Sequence, residues 1–288
     1  PLRVPLPGYV FEGAHYWLPA VGEAAPSAPA TTSLGSYEVS YHHGEPYLRD
    51  HVTFGEQVLL GVTHCSLAID AVRRHREGSD QLRLDKVLFE SAVIVGSGKD
   101  ANVRVSLQES SKGLSFESHY RTGSMSVWEK SAGGAISFES GPRPSRFDLE
   151  GFKNSSDYEV SGEELYTLKK PGVYGPGLKT VEKAYIKGGE VLGELCLRPE
   201  MEDDERNYYL HPALLDGSMV TRFALLDDSG SPEPFIPVMI KSLVVYEVPG
   251  AHSYSHVVPV KSNDEVWIVD ISIMDATGAI QVELKGFT

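Results

Sequence analysis

The sequence predicts an α+β chain of two similar halves, each an antiparallel sheet wrapped around a buried helix. Two apolar runs, and the alternation in the segments around them, predict it. Between Gln57 and Val72, apolar residues including Leu59, Leu60, Val62, Leu67, Ile69 and Val72 fall on every side of a helical wheel, the mark of a helix enclosed by protein. The polar stretch Arg73 to Glu77 and then Gly78 close that helix. Pro212 to Leu226 is a second, mostly apolar helix.

Strands follow the first helix. Val103 to Gln108 and Leu114 to Tyr120 alternate apolar and polar residues, as half-buried antiparallel strands do. In the second half Val181 to Tyr185 and Val191 to Leu197 precede the helix. Lys241 to Val248, Ser255 to Val260, Val266 to Met274 and Ile280 to Leu284 follow it, with Asp275-Ala276-Thr277-Gly278 as a hairpin turn. Gly96-Ser97-Gly98 and Gly133-Gly134 also read as hairpin turns. A helix wrapped by an antiparallel sheet, twice over, is the double-hotdog arrangement. Residues 1–32, rich in Pro, Ala and Ser, form a linker preceding the domain. Residues 33–140 are the N-terminal hotdog, 141–162 a connecting loop and 163–288 the C-terminal hotdog.

Composition narrows the function. The chain has 26 Lys and Arg against 40 Asp and Glu, a net charge of −14. Nucleic acid needs a concentrated basic face, and only Arg73-Arg74-His75-Arg76 approaches one. No apolar stretch reaches the ~18–20 residues of a membrane span, and the N-terminal residues lack a signal-peptide pattern, so a cytoplasmic chain is expected. Cys65 and Cys196 read as buried free thiols. The histidines, His42 and His43 among them, have no ligand-like spacing, so no metal is expected.

Two ionisable residues stand beside the apolar runs: His51 in Asp50-His51-Val52-Thr53-Phe54-Gly55, and Asp216 in His211-Pro212-Ala213-Leu214-Leu215-Asp216-Gly217. Such groups are costly there unless paired or used. The first stretch resembles the HxxxGxxxxP motif of dehydratase domains in modular polyketide synthases, with His51 and Gly55 in register. His211 to Asp216 resembles the family's HPxxLD segment, Val173-Tyr174-Gly175-Pro176 its YGP motif, and Phe235-Ile236-Pro237-Val238 its late LPxxI-type strand. The opening Leu6-Pro7-Gly8-Tyr9-Val10-Phe11 to Leu18 resembles the linker ahead of such domains.

The resemblance implies a double hotdog in which His51 and Asp216, one from each half, meet at one tunnel. It implies a β-hydroxyacyl thioester substrate, carried on the phosphopantetheine arm of an acyl carrier protein, with no further cofactor. Other domains of a parent synthase and a second copy of the chain are the remaining expected partners. In this reading His51 is the base for the α-proton. Asp216, disfavoured as an anion among apolar neighbours, is the acid for the β-hydroxyl. Gly61 supplies a backbone N–H to the enolate oxygen, and Tyr174 and Gly175 line the opposite wall. His211 holds local structure.

Three positions depart from the family pattern. Leu60 replaces its proline, Leu178 the aromatic that closes YGPxF, and Val220 the Gln or His four residues after the aspartate. With Gly55 these positions tune the pocket. Their alteration opens a rival reading, a pyran- or furan-forming cyclase in which a distal hydroxyl adds to the enoyl thioester. An enoyl isomerase fits less well because Asp216 is retained, and a silent scaffold is the remaining alternative.

Overall fold

The computed structural model describes residues 32–53, 55–76, 81–96, 98–123, 125–139, 141–168, 173–202, 204–226, 236–263 and 266–288. The expected linker before residue 32, the helix exit at residues 77 and 78, and Phe54, Ser97 and Phe235 lie outside them. The fold is a double hotdog whose two antiparallel sheets join edge to edge into one sheet of 12 strands. The first half supplies, in spatial order, Thr32–Tyr41, Ala101–Ser110, Gly113–Thr122, Glu129–Glu139 and Gln81–Phe89. The second half continues with Met239–Val245, Ile280–Phe287, Trp267–Met274, His252–Ser262, Glu190–Cys196, Val181–Lys187 and Tyr158–Ser161. At the seam Leu84 pairs with Leu243 and Val87 with Ile240, all four buried, so the halves share one core.

The helix Thr63–His75 buries every residue from Thr63 to Val72 against the first half's strands. It starts six residues later than the apolar run suggests. Glu56–Val58 is a strand paired with Ile94–Val95, and the Leu59 N–H donates to the Val93 carbonyl. An all-apolar segment carries no period to separate a buried strand from a buried helix. The second helix, Pro212–Val220, packs on Glu190–Cys196 and His252–Ser262 and tightens into a 3-10 turn over Thr221–Leu225.

Two further expectations are corrected. The 141–162 segment is not a plain loop: it holds a helix, Leu149–Asn154, capped by the Asp148 carboxylate, and the edge strand Tyr158–Ser161. That strand pairs with Val181–Lys187 and so belongs to the C-terminal half. Gly133 and Gly134 lie inside a strand, where a Cβ on Gly134 would meet the Phe116 ring at 3.0 Å and the Asp85 carbonyl at 3.1 Å. Glycine serves there for close approach rather than for a turn.

Candidate active site

A small second sheet positions His51. Its order is Val173–Tyr174, His51–Thr53, Glu56–Val58, Ile94–Val95. Thr53 pairs with Glu56, and Gly55 between them takes φ +82°, which a side chain disfavours. His51 pairs with Tyr174 of the other half, their rings 5.3 Å apart. The His51 Nδ1–H donates to the Val58 carbonyl at 2.6 Å, leaving the Nε2 lone pair free. Burial pushes the imidazole pKa below its usual value, and that hydrogen bond only partly offsets the shift.

Asp50 fastens the YGP segment to this sheet. Its buried carboxylate accepts from the Gly177 N–H at 2.8 Å and from the Arg49 guanidinium, while its carbonyl accepts from the Gly175 N–H at 2.7 Å. A Cβ on Gly175 would sit 2.4 Å from the Asp50 carboxyl carbon. Gly175 therefore makes room for Asp50, and it does not line the cavity.

Asp216 rides on the helix Pro212–Val220, whose start is capped by His211. The Nδ1 of His211 accepts from the Ala213 N–H at 3.1 Å, and its Nε2 lies 3.0 Å from the Tyr47 hydroxyl. Burial raises the Asp216 carboxyl to about 7, against the opposing pull of the Arg222 charge and of a hydrogen bond donated by the Tyr174 hydroxyl. Its Oδ2 is buried without a partner. Tyr174 thus touches both ionisable groups, by ring contact with His51 and by its hydroxyl with Asp216.

Both groups open into one cavity of about 320 Å³. Gly61, Tyr174 and Val220 line it, whereas Gly55, Leu60 and Leu178 do not. Leu60 and Leu178 are each 1% exposed and packed into the core, so any influence on the cavity passes through their neighbours. Gly61 and Val62 are the central residues of a turn closed by the Thr63 N–H to Leu60 carbonyl bond, and Gly61 stands two residues ahead of the helix. Amide hydrogens at such a turn have no acceptor within it and sit at the positive end of the helix dipole. His64, in the first turn, is buried between the Ser118 and Ser131 hydroxyls at 2.8 Å each, and burial lowers its pKa to about 4.

Elsewhere, folding assembles what spacing does not suggest. His42, His43 and Asp100 meet at the surface with ligand atoms within 4.8 Å of one another, and none of them lines the cavity. Cys65 and Cys196 are free. The guanidinium groups of Arg73, Arg74 and Arg76 lie over the rings of Tyr209, Tyr37 and Phe138. No helix among the described residues is long and apolar enough to cross a membrane.

Two family models match the chain: "Polyketide synthase dehydratase domain" over residues 19–121 and "Polyketide synthase dehydratase N-terminal domain" over 148–288. The chain belongs to the dehydratase domain family of modular polyketide synthases. Polyketide synthase PksN of Bacillus subtilis is 27% identical over 322 residues, covering 100% of this dehydratase domain and 6% of the relative. Polyketide synthase ThaG of Burkholderia thailandensis is 27% identical over 275 residues, covering 84% and 5%. The domain thus spans a small part of these synthases, which carry it among other domains. The dehydratase domain of the CurJ module of curacin polyketide synthase superposes with a TM-score of 0.78 at 22% identity, covering 92% of each chain. A trans-acyltransferase polyketide synthase enoyl-isomerase does so with 0.75 at 18%, covering 87% of this chain and 97% of its own. Sequence reasoning passed over two residues of this dehydratase domain's site. Asp50 was quoted only as a neighbour of His51. Arg222, which its sequence context does not mark out, lines the cavity and is buried.

Proposed function

We propose that the domain is a hydro-lyase that removes water from a β-hydroxyacyl thioester delivered on the phosphopantetheine arm of an acyl carrier protein. The His51 Nε2 takes the α-proton, and the electron pair passes through the thioester enolate to form the α,β-double bond. The β-hydroxyl leaves as water with a proton from Asp216. Enolate charge is met by the N–H groups of the Gly61 turn. The observation that carries this reading is that His51 and Asp216, one from each half, open into one apolar cavity, where burial inverts their ordinary pKa order by pushing the imidazole down and the carboxyl up to about 7. Between them the dominant species is a neutral base facing a neutral acid, the form that elimination requires.

Ring closure is a second reading, favoured by one observation: apolar Val220 lines the cavity where the family carries a hydrogen-bonding side chain. His51 would then also deprotonate a distal hydroxyl as it adds to the enoyl β-carbon, with the cavity holding both ends of the chain together. Mass spectrometry and chromatography of a β-hydroxyacyl pantetheine thioester bearing a distal hydroxyl test both. Loss of one water to an open-chain product is expected from the first, the same mass with cyclic retention from the second. Unchanged substrate beside folded protein overturns the proposal, as does undiminished turnover by His51→Ala.

The inversion sets a pH profile. kcat/KM is expected to rise as His51 loses its proton below the usual histidine value and to fall as Asp216 ionises near about 7. In Asp216→Asn the alkaline limb disappears. A wild-type rate that keeps rising beyond pH 8 would sink the assignment of Asp216 as the acid.

A further inference from the structure

Arg222 is the least explained group in the cavity. It is 6% exposed, lies in the 3-10 turn after the Asp216 helix and lines the cavity. Its Nε is buried without a hydrogen-bond partner, and no carboxylate among the described residues lies within ion-pair distance of its guanidinium. The rings of Phe223, Trp267 and Phe287 surround it, with centroids 4.9, 5.2 and 4.7 Å from the guanidinium carbon. Aromatic faces attract a cation but accept few of its hydrogen bonds.

A buried guanidinium with open donors is costly unless something brought to the site completes it. Its neighbours locate that partner. Phe223 and Phe287 line the cavity at 4% and 2% exposure, whereas Ile94 and Ile236, also in its lining, are 52% and 61% exposed. Arg222 therefore stands at the closed end and the isoleucines at the mouth. A thioester arm enters from solvent, so its phosphate stays outside and the far end of the acyl chain reaches Arg222. At that end the walls are the Phe223 and Phe287 rings with Arg222 as the fixed donor, which favours a chain that is hydrocarbon there except for one oxygen placed to meet it.

Resting on the thioester reading above, we infer that Arg222 is a specificity residue which donates hydrogen bonds to a hydroxyl or carbonyl oxygen carried on the acyl chain beyond its β-carbon. The domain thereby selects oxygenated chains over hydrocarbon chains of the same length.

The test uses binding rather than turnover, so that it stands apart from the dehydration assay. Two inert pantetheine amides are prepared, both saturated and without a β-hydroxyl, one carrying a distal hydroxyl and the other all-carbon. Calorimetry measures each against wild type, Arg222→Met and Arg222→Lys. Wild type is expected to bind the oxygenated analogue about 10- to 100-fold more tightly, the range of a hydrogen bond from a charged donor. Arg222→Met is expected to lose that preference while holding the all-carbon analogue within about 3-fold, and Arg222→Lys to keep part of it. Equal binding of both analogues by wild type overturns the inference even if Arg222→Met does not fold. So does an equal loss of affinity for both analogues in a folded Arg222→Met, which marks a structural role. If the preference is found but no β-hydroxyacyl thioester is dehydrated, the specificity stands and the reaction assignment falls.

Discussion

Asp216→Asn is expected to lower turnover of a β-hydroxyacyl thioester by about 10²- to 10⁴-fold while leaving the fold intact, the usual contribution of a positioned general acid. Asparagine has the same shape, and its carbonyl oxygen can still accept from the Tyr174 hydroxyl, but it has no proton to give the departing oxygen. Stability gives an independent readout. The folded carboxyl titrates near about 7 because it is buried, and the unfolded one near 3.8. Between those values the folded protein holds a proton that the unfolded chain has lost. The contribution of Asp216 to stability is therefore present in acid and lost as pH rises toward 7. Its slope is at most about 1.4 kcal/mol per pH unit. His64 and His211, pushed down to about 4 by burial, act in the opposite sense, adding stability that is lost as pH falls from 6.5. Denaturant unfolding of the two proteins at several pH values separates these effects, because the histidines are common to both. Parallel stability curves from pH 4 to 7 would mean that Asp216 is not held protonated by the fold.

The sequence showed much of this in advance, for identifiable reasons. Half-buried strands keep their alternation wherever one face meets a core, so Val103 to Gln108 and Val266 to Met274 were readable. Asp216 stood out because a carboxylate in a run such as Pro212-Ala213-Leu214-Leu215 has few inexpensive explanations. The small sheet around His51 was not readable. Its strands are two or three residues long, too short for a period, and Val173–Tyr174 reaches His51 from the other half of the chain. Leu60 and Gly175 were assigned to the cavity by resemblance alone. Their surroundings place Leu60 in the core and Gly175 against Asp50, contacts that depend on tertiary packing. Arg222 is legible only in the fold, because the packing of Trp267 and Phe287 from distant strands is what encloses it without an ion pair.

Gly217→Ala is expected to destabilise the domain, although local helix propensity predicts the opposite. Gly217 follows Asp216 on the helix, and a Cβ there would lie 1.9 Å from the Thr180 Oγ1 and 3.2 Å from its Cβ. Alanine is otherwise the better helix former by about 1 kcal/mol, so local propensity alone predicts a gain. Packing reverses the sign because Thr180 has nowhere to turn. It is fully buried, its hydroxyl donates to the Ala213 carbonyl at 3.3 Å, its N–H donates to the Leu178 carbonyl, and its own carbonyl accepts from the Cys196 N–H. Relief requires the helix to move off Val181–Lys187, carrying Asp216 away from Tyr174. Overpacking of this kind costs about 1–3 kcal/mol, or about 2–4 °C in Tm for each kcal/mol in a domain of this size. Turnover is expected to fall with it. The double variant Gly217→Ala with Thr180→Ala separates this cause from others. It removes the clashing hydroxyl and is expected to recover more than half of the Tm lost by Gly217→Ala alone, measured relative to Thr180→Ala. Strictly additive losses would show that the two residues do not meet, and that the close seating of the Asp216 helix on Thr180 is wrong.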